Sequence, residues 1–375
     1  MKVLLVGNYL PDRQDSMQIY ASMLERGLRG RGHEVCLLQP PAVLGPRVAE
    51  NSLLFKWLGY ADKFVLFRRE LRRAAATADI VHLCDHSNAM YVPALAESAH
   101  VITCHDVLAI RSALHHFPEN PVGGTGRMFQ RLIARGLRRA GAIVCVSSKT
   151  RDDLKQYLAV PEERLHVIPN ALTWPYKPIS AEASAPILAG LGLRPGESYF
   201  LHIGGNHWYK NRGAAIEIFA ALRKLPQYAG ARLVMAGGPV MPELRAMAGK
   251  HGIAEALVEA VGLSNEQLEA LYSGALAMLF PSREEGFGWP ILEAQACGCP
   301  VVIADRPPMN EVAGGAAILI DPAKPEVAAC TIAGALRDTT RMRREGLLNA
   351  ASHTTERMLE QCEMLYRVVA GARGM

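Results

Sequence analysis

Short apolar runs separated by helical stretches are the main pattern along this chain. Each run is bounded by turn or helix signals, as is typical of strands in a parallel sheet that is buried on both faces. The candidate strands in the first half are 2–7, 34–38, 80–84, 101–104, 142–146 and 165–169. Those in the second half are 199–203, 232–236, 257–261, 276–280, 300–303 and 317–320. This alternation predicts the α/β class with parallel sheets.

The two sets of strands are separated by a proline-spaced segment from Trp174 to Pro186, which is predicted to be a linker. The chain has 375 residues, of which 50% are hydrophobic, and this is enough to bury two large cores. We therefore expect two Rossmann-like domains whose parallel sheets face each other across a cleft. The first is predicted at residues 1–178 and the second at 186–351.

The most informative segment is Pro281–Ala294, which follows a candidate strand. Its Pro290 suits the first position of a helix, because the N–H that proline lacks would have no partner there. Gly298 and Pro300 are typical of the end of that helix. A strand, a loop, a helix and the next strand therefore form a βαβ unit. Its loop lies at the carboxyl end of a strand, where open α/β sheets bind ligands.

This loop carries groups that suit a sugar nucleotide. The backbone N–H groups at the start of the helix form an anion site for a diphosphate, and they belong to Gly286, Phe287, Gly288 and Trp289. A carboxylate accepts hydrogen bonds from adjacent hydroxyls, so Glu285 could hold a hexose and Glu293 a ribose. The alternative is that both glutamates are solvated near a helix start, where negative charge is favoured.

A second motif runs from His202 to Arg212, after the first strand of the second half. Gly204 and Gly205 allow close backbone approach to a ligand, and Lys210 is a compact cation suited to a diphosphate. Asn206 could add a hydrogen bond to a phosphate. The alternative is a surface turn with a solvated lysine.

The spacing from Glu285 to Glu293, within the motif EGFG-x-P-x-x-EA, closely resembles the E-x7-E motif of retaining glycosyltransferase family 4. The resemblance covers nearly the whole chain, is strongest over residues 200–322, and implies the GT-B fold. It also implies transfer of a hexosyl group from a UDP- or GDP-linked sugar to a hydroxyl of a glycan or lipid-linked acceptor, with retained configuration. Neither a metal nor another cofactor is expected, and the chain contains no D-x-D motif.

The resemblance also implies residue roles. Glu285 would position the transferred sugar and Glu293 the ribose, while Lys210 and Arg212 would stabilise the departing diphosphate. His105, which begins the pair His105–Asp106 after a first-half strand, would hold the sugar or its phosphate; the alternative is a hydrogen-bonded loop histidine. Leu271 and Tyr272 occur where the family's backbone contacts the base, although packing explains them equally well. A final helix at about 352–375 would cross back to the first domain.

Two departures from the family pattern affect these expectations. Tyr209 stands where an arginine usually precedes the lysine, so Arg212 is the candidate substitute. The Gly-Gly loop usually found after the first strand is missing. Its place is taken by a polar segment, so the acceptor side is assigned to four residues: Asp15, Ser16, Asp85 and His86. The acceptor cannot be named from these residues.

Charge is unevenly distributed. Residues 1–180 hold 23 Lys and Arg against 16 Asp and Glu, whereas the remaining residues hold 18 against 20. Basic residues concentrate from Arg127 to Arg139 and from Lys63 to Arg73, beside apolar and aromatic residues that include Trp57. Such helices can lie on an anionic membrane surface. The alternative is ordinary domain helices with solvated arginines. Nucleic acid is not expected, because no recognised binding motif accompanies the charge.

The remaining features concern the compartment. The eight cysteines show no metal-ligand spacing, and free thiols fit a reducing cytoplasm. The N-terminal apolar run is too short for a signal peptide, and no apolar stretch approaches the length that spans a bilayer. We expect a cytoplasmic protein, with peripheral contact to the inner face of the membrane as an option. Two other functions remain open: a sucrose-synthase-like or phosphorylase-like enzyme, and a catalytically silent subunit that kept the fold.

Overall fold

A computed structural model describes residues 1–44 and 53–372. The chain divides into two compact units. Unit 1 comprises Met1–Thr173 and the C-terminal segment from Thr355, and unit 2 comprises Trp174–Thr354.

Unit 1 is built on a six-stranded parallel sheet in the order β2-β1-β3-β4-β5-β6. Three of its interior strands, β3, β4 and β5, are buried along their whole length and mostly apolar, because helices cover both faces. The strands are β1 Lys2–Val6, β2 Glu34–Leu38, β3 Ile80–Leu83, β4 His100–Cys104, β5 Ala142–Cys145 and β6 Leu165–Val167.

Unit 2 repeats this plan with a six-stranded parallel sheet in the order β12-β11-β10-β7-β8-β9. All twelve strands were predicted from the apolar runs, and their ends agree with the predictions to within two residues. The α/β class with two parallel sheets is therefore confirmed. The strands are β7 Tyr199–Gly204, β8 Arg232–Gly237, β9 Leu257–Val261, β10 Ala277–Phe280, β11 Val301–Ala304 and β12 Ile318–Ile320.

Helices connect the strands in both units. In unit 1 they are α1 Asp15–Gly30, α2 Leu53–Ala61, α3 Phe67–Ala75, α4 Leu108–Ala113, α5 Gly124–Leu137 and α6 Ser148–Leu158, with a π-helical turn at Asp62–Leu66 between α2 and α3. In unit 2 they are α7 Ala181–Gly190, α8 Arg212–Arg223, α9 Pro242–Lys250, α10 Asn265–Gly274, α11 Trp289–Ala296, α12 Met309–Val312, α13 Pro325–Ala335 and α14 Thr340–Ala351. The last helix, α15 Thr355–Gly371, belongs to unit 1.

Polar contacts hold α15 in unit 1. The Arg31 guanidinium lies 2.8 Å from a Glu363 carboxylate oxygen, and His33 lies 2.9 Å from the same oxygen. The Arg31 side chain thereby lowers the pKa of Glu363 to about 2. Deeper in the unit, the Tyr366 hydroxyl lies 2.5 Å from Nδ1 of the buried His82. The C-terminal helix is therefore part of the unit 1 core.

The predicted linker is too long at its C-terminal end. Helix α7 begins at Ala181, and Pro186 lies inside it. The Ser180 hydroxyl accepts a hydrogen bond from the Ala183 N–H, which is a typical N-cap. The proline spacing therefore predicted a linker where a capped helix forms.

Candidate active site

Each sheet has a point where the strand order reverses direction. In unit 2 the chain proceeds outward from β7 on one side and from β10 on the other, so the reversal lies between these two neighbouring strands. Ligands of open α/β sheets bind outside the carboxyl ends of strands at such a point. The two sequence motifs, which follow β7 and β10, meet there.

The loop after β7 is shaped by a missing side chain. A Cβ atom at Gly204 would lie 3.2 Å from the Lys210 side chain, so glycine leaves room for the lysine to extend along the strand end. Two hydrogen bonds join this loop to the loop after β10. The Arg283 N–H donates to the Tyr209 carbonyl over 2.7 Å, and the Asn211 amide donates to the Pro281 carbonyl over 2.9 Å.

Lys210 and Glu285 form an ion pair at this junction. The Lys210 Nζ lies 2.7 Å from Glu285 Oε1, and their side chains are 15% and 8% exposed. The Lys210 ammonium also lies 5.2 Å from the centre of the Phe280 ring, within cation–π range. Sequence reasoning assigned both charged residues to the site but did not predict that they pair with each other.

Glu293 is held by a residue that the sequence assigned only to packing or the family's base contact. The Tyr272 hydroxyl donates to Glu293 Oε2 over 2.7 Å, and the tyrosine ring is fully buried. Burial raises the pKa of Glu293 to about 6, although the Tyr272 hydrogen bond and the Lys210 charge oppose this rise. The carboxyl group is therefore partly protonated near pH 6.

Arg212 is placed differently from the expected phosphate contact. It is 4% exposed, and its guanidinium donates to the Pro239 carbonyl over 2.9 Å and to the Gly238 carbonyl over 3.0 Å. It also donates to Asn206 Oδ1, while the Asn206 amide donates to the Pro239 carbonyl over 3.0 Å. Both side chains thus fasten the loop after β8 to the loop after β7. A direct role for Arg212 in place of an arginine at position 209 stays a prediction.

Helix α11 begins as the sequence predicts. Gly288 precedes it with a φ of 104°, a left-handed conformation that favours glycine, and Pro290 occupies the first turn. The Phe287 ring is buried beside Trp289 and His353, with ring centres 6.4 Å and 6.2 Å away. Its side chain therefore packs in unit 2, which leaves the backbone as the part of Phe287 available for the predicted anion site.

Unit 1 has its own reversal point, between β1 and β3, and a polar network occupies it. The Asn8 amide, which follows β1, donates to Asp85 Oδ2 over 2.7 Å. The Asn88 amide donates to Asn8 Oδ1 over 2.8 Å, and both asparagines are buried. Asn8 was not predicted as a site residue, because a single asparagine after a strand is also an ordinary loop residue.

Two histidines accompany this network. Nδ1 of His86 lies 3.0 Å from Asp85 Oδ1. Burial lowers the pKa of His86, but the Asp85 carboxylate outweighs burial and raises it above the usual range. His105 is 7% exposed and donates from Nε2 to the Cys84 carbonyl over 3.0 Å. Burial lowers the pKa of His105, so this imidazole is neutral at pH 7 and offers hydrogen bonds rather than charge.

The other two candidates for the acceptor side, Asp15 and Ser16, lie at the surface of unit 1. Asp15 and Ser16 form the first turn of α1, and both are exposed. Unit 1 therefore contains His105, Asp85, His86, Asp15 and Ser16, whereas unit 2 contains the residues predicted to bind the donor.

The basic segments of unit 1 contact each other through aromatic rings. The Phe129 ring on α5 lies 6.0 Å from the Tyr60 ring and 6.1 Å from the Phe64 ring. Lys63 departs from the prediction: its ammonium pairs with Asp12 at 2.7 Å, and the side chain is 12% exposed. The exposed charge of that segment comes from arginines instead, namely Arg68, Arg69, Arg72 and Arg73.

Neither a metal-binding cluster nor a membrane-spanning helix occurs in the part of the chain that the structure describes. Within residues 1–44 and 53–372, no group of three or more His, Cys, Asp or Glu side chains is arranged to hold a metal ion. Over the same ranges, no helix has both the length and the apolar character needed to cross a membrane.

Two protein families match the chain. Residues 17–173 match the family described as Glycosyltransferase Family 4, and residues 186–351 match Glycosyl transferases group 1. With two parallel six-stranded sheets, these matches identify the chain as a glycosyltransferase of the family 4 type with the GT-B fold.

Similar proteins agree with this class. O-antigen chain mannosyltransferase B of Escherichia coli is 29% identical over 276 residues, which cover 71% of this chain and 68% of that protein. O-antigen chain mannosyltransferase RfbU of Salmonella typhimurium is 26% identical over 222 residues, covering 59% of this chain and 56% of that protein.

Solved structures share the fold along the whole chain. Sucrose-phosphate synthase from Thermosynechococcus elongatus has a TM-score of 0.75 at 18% identity, covering 99% of this chain and 100% of that one. The Anabaena protein HepE in complex with UDP and glucose has a TM-score of 0.74 at 16% identity, covering 97% and 99%. At these identities the likeness supports the GT-B fold alone.

Proposed function

We propose that this protein is a retaining glycosyltransferase that transfers a hexosyl group from a UDP- or GDP-linked sugar to a hydroxyl of a glycan or lipid-linked acceptor. The observation that carries the proposal is the meeting of Lys210, Glu285 and Glu293 at the strand-order reversal of unit 2. Cell-surface polysaccharide or glycolipid synthesis is the proposed context, because two similar proteins are named O-antigen chain mannosyltransferases.

The proposed residue roles follow from charge and hydrogen bonding. Lys210, which donates a hydrogen bond to Glu285, would exchange part of that contact for the diphosphate. Glu285 would then hold hydroxyls of the transferred sugar, and Glu293 would hold the ribose. Backbone N–H groups at Gly286–Trp289 would supply further donors to the diphosphate.

The proposed reaction proceeds on one face of the sugar. The bond from the anomeric carbon to the diphosphate oxygen breaks, and the acceptor hydroxyl oxygen bonds to that carbon from the same face. The departing diphosphate takes the hydroxyl proton, so the step balances without a separate base. The developing negative charge is stabilised by Lys210 and the start of α11, which is the kind of preorganised electrostatic effect that contributes most in many enzymes. Neither a metal ion nor another cofactor takes part in this scheme.

Donor binding tests the proposal directly. The wild-type protein is expected to show a higher melting temperature with one or more of UDP-glucose, UDP-N-acetylglucosamine and GDP-mannose, because a ligand that binds only the folded state stabilises it. Glu293→Ala should lose this response. Glu255→Ala, at an exposed glutamate in unit 2, is the matched control and should keep it. If no nucleotide sugar shifts the wild-type protein, the catalytically silent alternative is favoured. Phosphate-dependent cleavage of a disaccharide would favour the phosphorylase-like alternative.

We further propose that unit 1 contacts an anionic membrane surface. Apolar side chains are exposed around the Tyr60–Phe64–Phe129 contact: Trp57 is 61% exposed, Val65 66%, Met128 58% and Leu132 39%. Exposed arginines flank them, including Arg131 and Arg135 on α5. Aromatic and aliphatic groups beside arginines suit the boundary between lipid headgroups and acyl chains. The opposing charges include Glu70 on α3 and Asp12, which pairs with Lys63.

Vesicle binding tests this surface. Wild-type protein should sediment with vesicles that contain phosphatidylglycerol and much less with phosphatidylcholine alone. Reversing the charge of both Arg131 and Arg135 to glutamate should lower the partition coefficient at least about tenfold, since each basic residue near such a surface contributes about 1 kcal/mol. Arg337→Glu with Arg344→Glu, at two exposed arginines of unit 2, changes the net charge equally and should have little effect. Equal losses in both pairs would contradict a localised surface.

A further inference from the structure

Tyr272 is a buried residue of unit 2 that donates a hydrogen bond to Glu293. It lies near the C-terminal end of α10, whose N-terminus is fixed by the Ser264–Gln267 capping box. The Tyr272 ring is fully buried and lies nearly perpendicular to the Tyr176 ring, with centres 5.9 Å apart. The Tyr176 hydroxyl in turn donates to Asn265 Oδ1 over 3.3 Å. These contacts fix the position of the Tyr272 hydroxyl beside Glu293.

The two oxygens of the Glu293 carboxylate differ in their hydrogen bonding. Oε2 accepts from Tyr272 over 2.7 Å, whereas Oε1 makes no hydrogen bond with any residue in the part of the chain that the structure describes. A carboxylate that is held through one oxygen keeps the other for a ligand. Because the tyrosine is uncharged and buried, it fixes the carboxylate without neutralising it.

We propose that Tyr272 is a positioning residue for the donor: its hydroxyl holds Oε2 of Glu293 so that Oε1 is presented, ionised, to the ribose hydroxyls. This inference rests on the proposed function, because it assigns Glu293 to the nucleotide. It adds a second requirement for donor binding, namely a tyrosine hydroxyl on α10 beside Glu293. The spacing of the two glutamates does not predict this requirement.

The surroundings of Glu293 support the ionised form only weakly. The titratable groups facing it are Tyr272 on α10, Lys210 after β7, Tyr176 in the segment before α7 and Cys297 just after α11. Burial raises the pKa of Tyr272, Tyr176 and Cys297, so these groups are neutral near pH 7. Lys210 is therefore the positive charge among them, and its nearest partner is Glu285. Loss of the Tyr272 hydrogen bond should make the Glu293 carboxyl harder to ionise.

The test is the pH dependence of donor binding by Tyr272→Phe. With the nucleotide sugar that binds the wild-type protein, calorimetry from about pH 5 to pH 9 should show affinity falling as Glu293 becomes protonated. In Tyr272→Phe, the dissociation constant near pH 7 should rise about tenfold, and the midpoint of the pH profile should move up by about one unit. In a Glu293→Gln background the same change should alter the dissociation constant by about twofold or less.

Tyr199→Phe is the matched control. Tyr199 is also buried, and its hydroxyl donates over 2.8 Å to the carbonyl of Leu271, the neighbour of Tyr272. This variant should lose stability but keep the wild-type pH midpoint. An unshifted midpoint in Tyr272→Phe would overturn the positioning role while leaving the proposed function intact. Absence of nucleotide-sugar binding by the wild-type protein at every pH would instead refute the proposed function, and this inference with it.

Discussion

Lys210→Met is expected to lower kcat/KM by about 10²- to 10³-fold, the usual effect of removing one preorganised donor to developing charge. Methionine keeps much of the length and apolar surface of the lysine chain, which lies beside Gly204 and Phe280. The loss can therefore be ascribed to the ammonium group. Steady-state kinetics with the donor found in the binding screen give the measurement.

The same substitution should also reduce stability, since it leaves Glu285 buried without its partner. Breaking a fully buried ion pair costs about 3–5 kcal/mol, and the partial exposure of Lys210 reduces the expected loss to about 2 kcal/mol. Adding Glu285→Gln to Lys210→Met removes the unpaired charge. The double variant should therefore recover most of the stability and none of the activity.

Lys224→Met is the control for removing a lysine from unit 2. Lys224 follows α8, its side chain is 69% exposed, and it lies 3.7 Å from an equally exposed Glu326. Neither activity nor stability should change appreciably. If Lys210→Met keeps wild-type kcat/KM, or if the double variant regains activity, Lys210 stabilises the loop rather than the leaving group.

The sheets could be predicted from the sequence because burial on both faces leaves a local signal. A strand such as β10, Ala277–Phe280, is wholly apolar and ends at a proline, so four residues and their neighbours suffice to define it. The start of α11 is equally local, since Gly288 and Pro290 determine the backbone on either side of its first residue. The boundary between the linker and the next helix was predicted less well, because the Ser180 N-cap starts a helix that contains Pro186.

The members of the donor site were also predictable, but their partners were not. Lys210 and Glu285 are separated by 75 residues and Tyr272 and Glu293 by 21, and motif spacing carries no information on which side chains meet. The sequence likewise suggested that Arg212 contacts the diphosphate, whereas in the structure its guanidinium donates to backbone carbonyls of the loop after β8. These contacts depend on the order of strands in the sheet, which local patterns do not specify.

Charge patterns in the sequence predicted which regions expose basic residues, but they did not predict which single side chains are exposed. The arginines from Arg131 to Arg139 are exposed as a solvated or membrane-facing set requires. Lys63 belongs to the same basic composition but is committed to Asp12 and lies 5.0 Å from the centre of the Tyr9 ring. A lysine with an acidic partner 51 residues away cannot be distinguished from a free one by sequence alone.

Glu293→Gln is expected to weaken donor binding strongly, while leaving a measurable dissociation constant, and yet to stabilise the unliganded protein above about pH 6. Burial raises the pKa of Glu293 to about 6 from its ordinary value of 4.5. The folded state therefore binds the proton more tightly than the unfolded state, so this group favours folding at low pH. That contribution is complete below the unfolded value and is lost as pH rises through the folded value, at a cost of up to about 2 kcal/mol.

Glutamine carries no charge at any of these pH values and can still accept the Tyr272 hydrogen bond. The difference in melting temperature between Glu293→Gln and wild type should therefore be larger at about pH 8 than at about pH 5, when both are measured without ligand. Glu255→Gln, at an exposed glutamate of the same unit, should show no such dependence. A constant difference across pH would mean that desolvation of Glu293 is offset in the folded protein. A growing difference, together with weakened donor binding, would mean that the protein keeps a destabilising carboxylate because its function needs the charge.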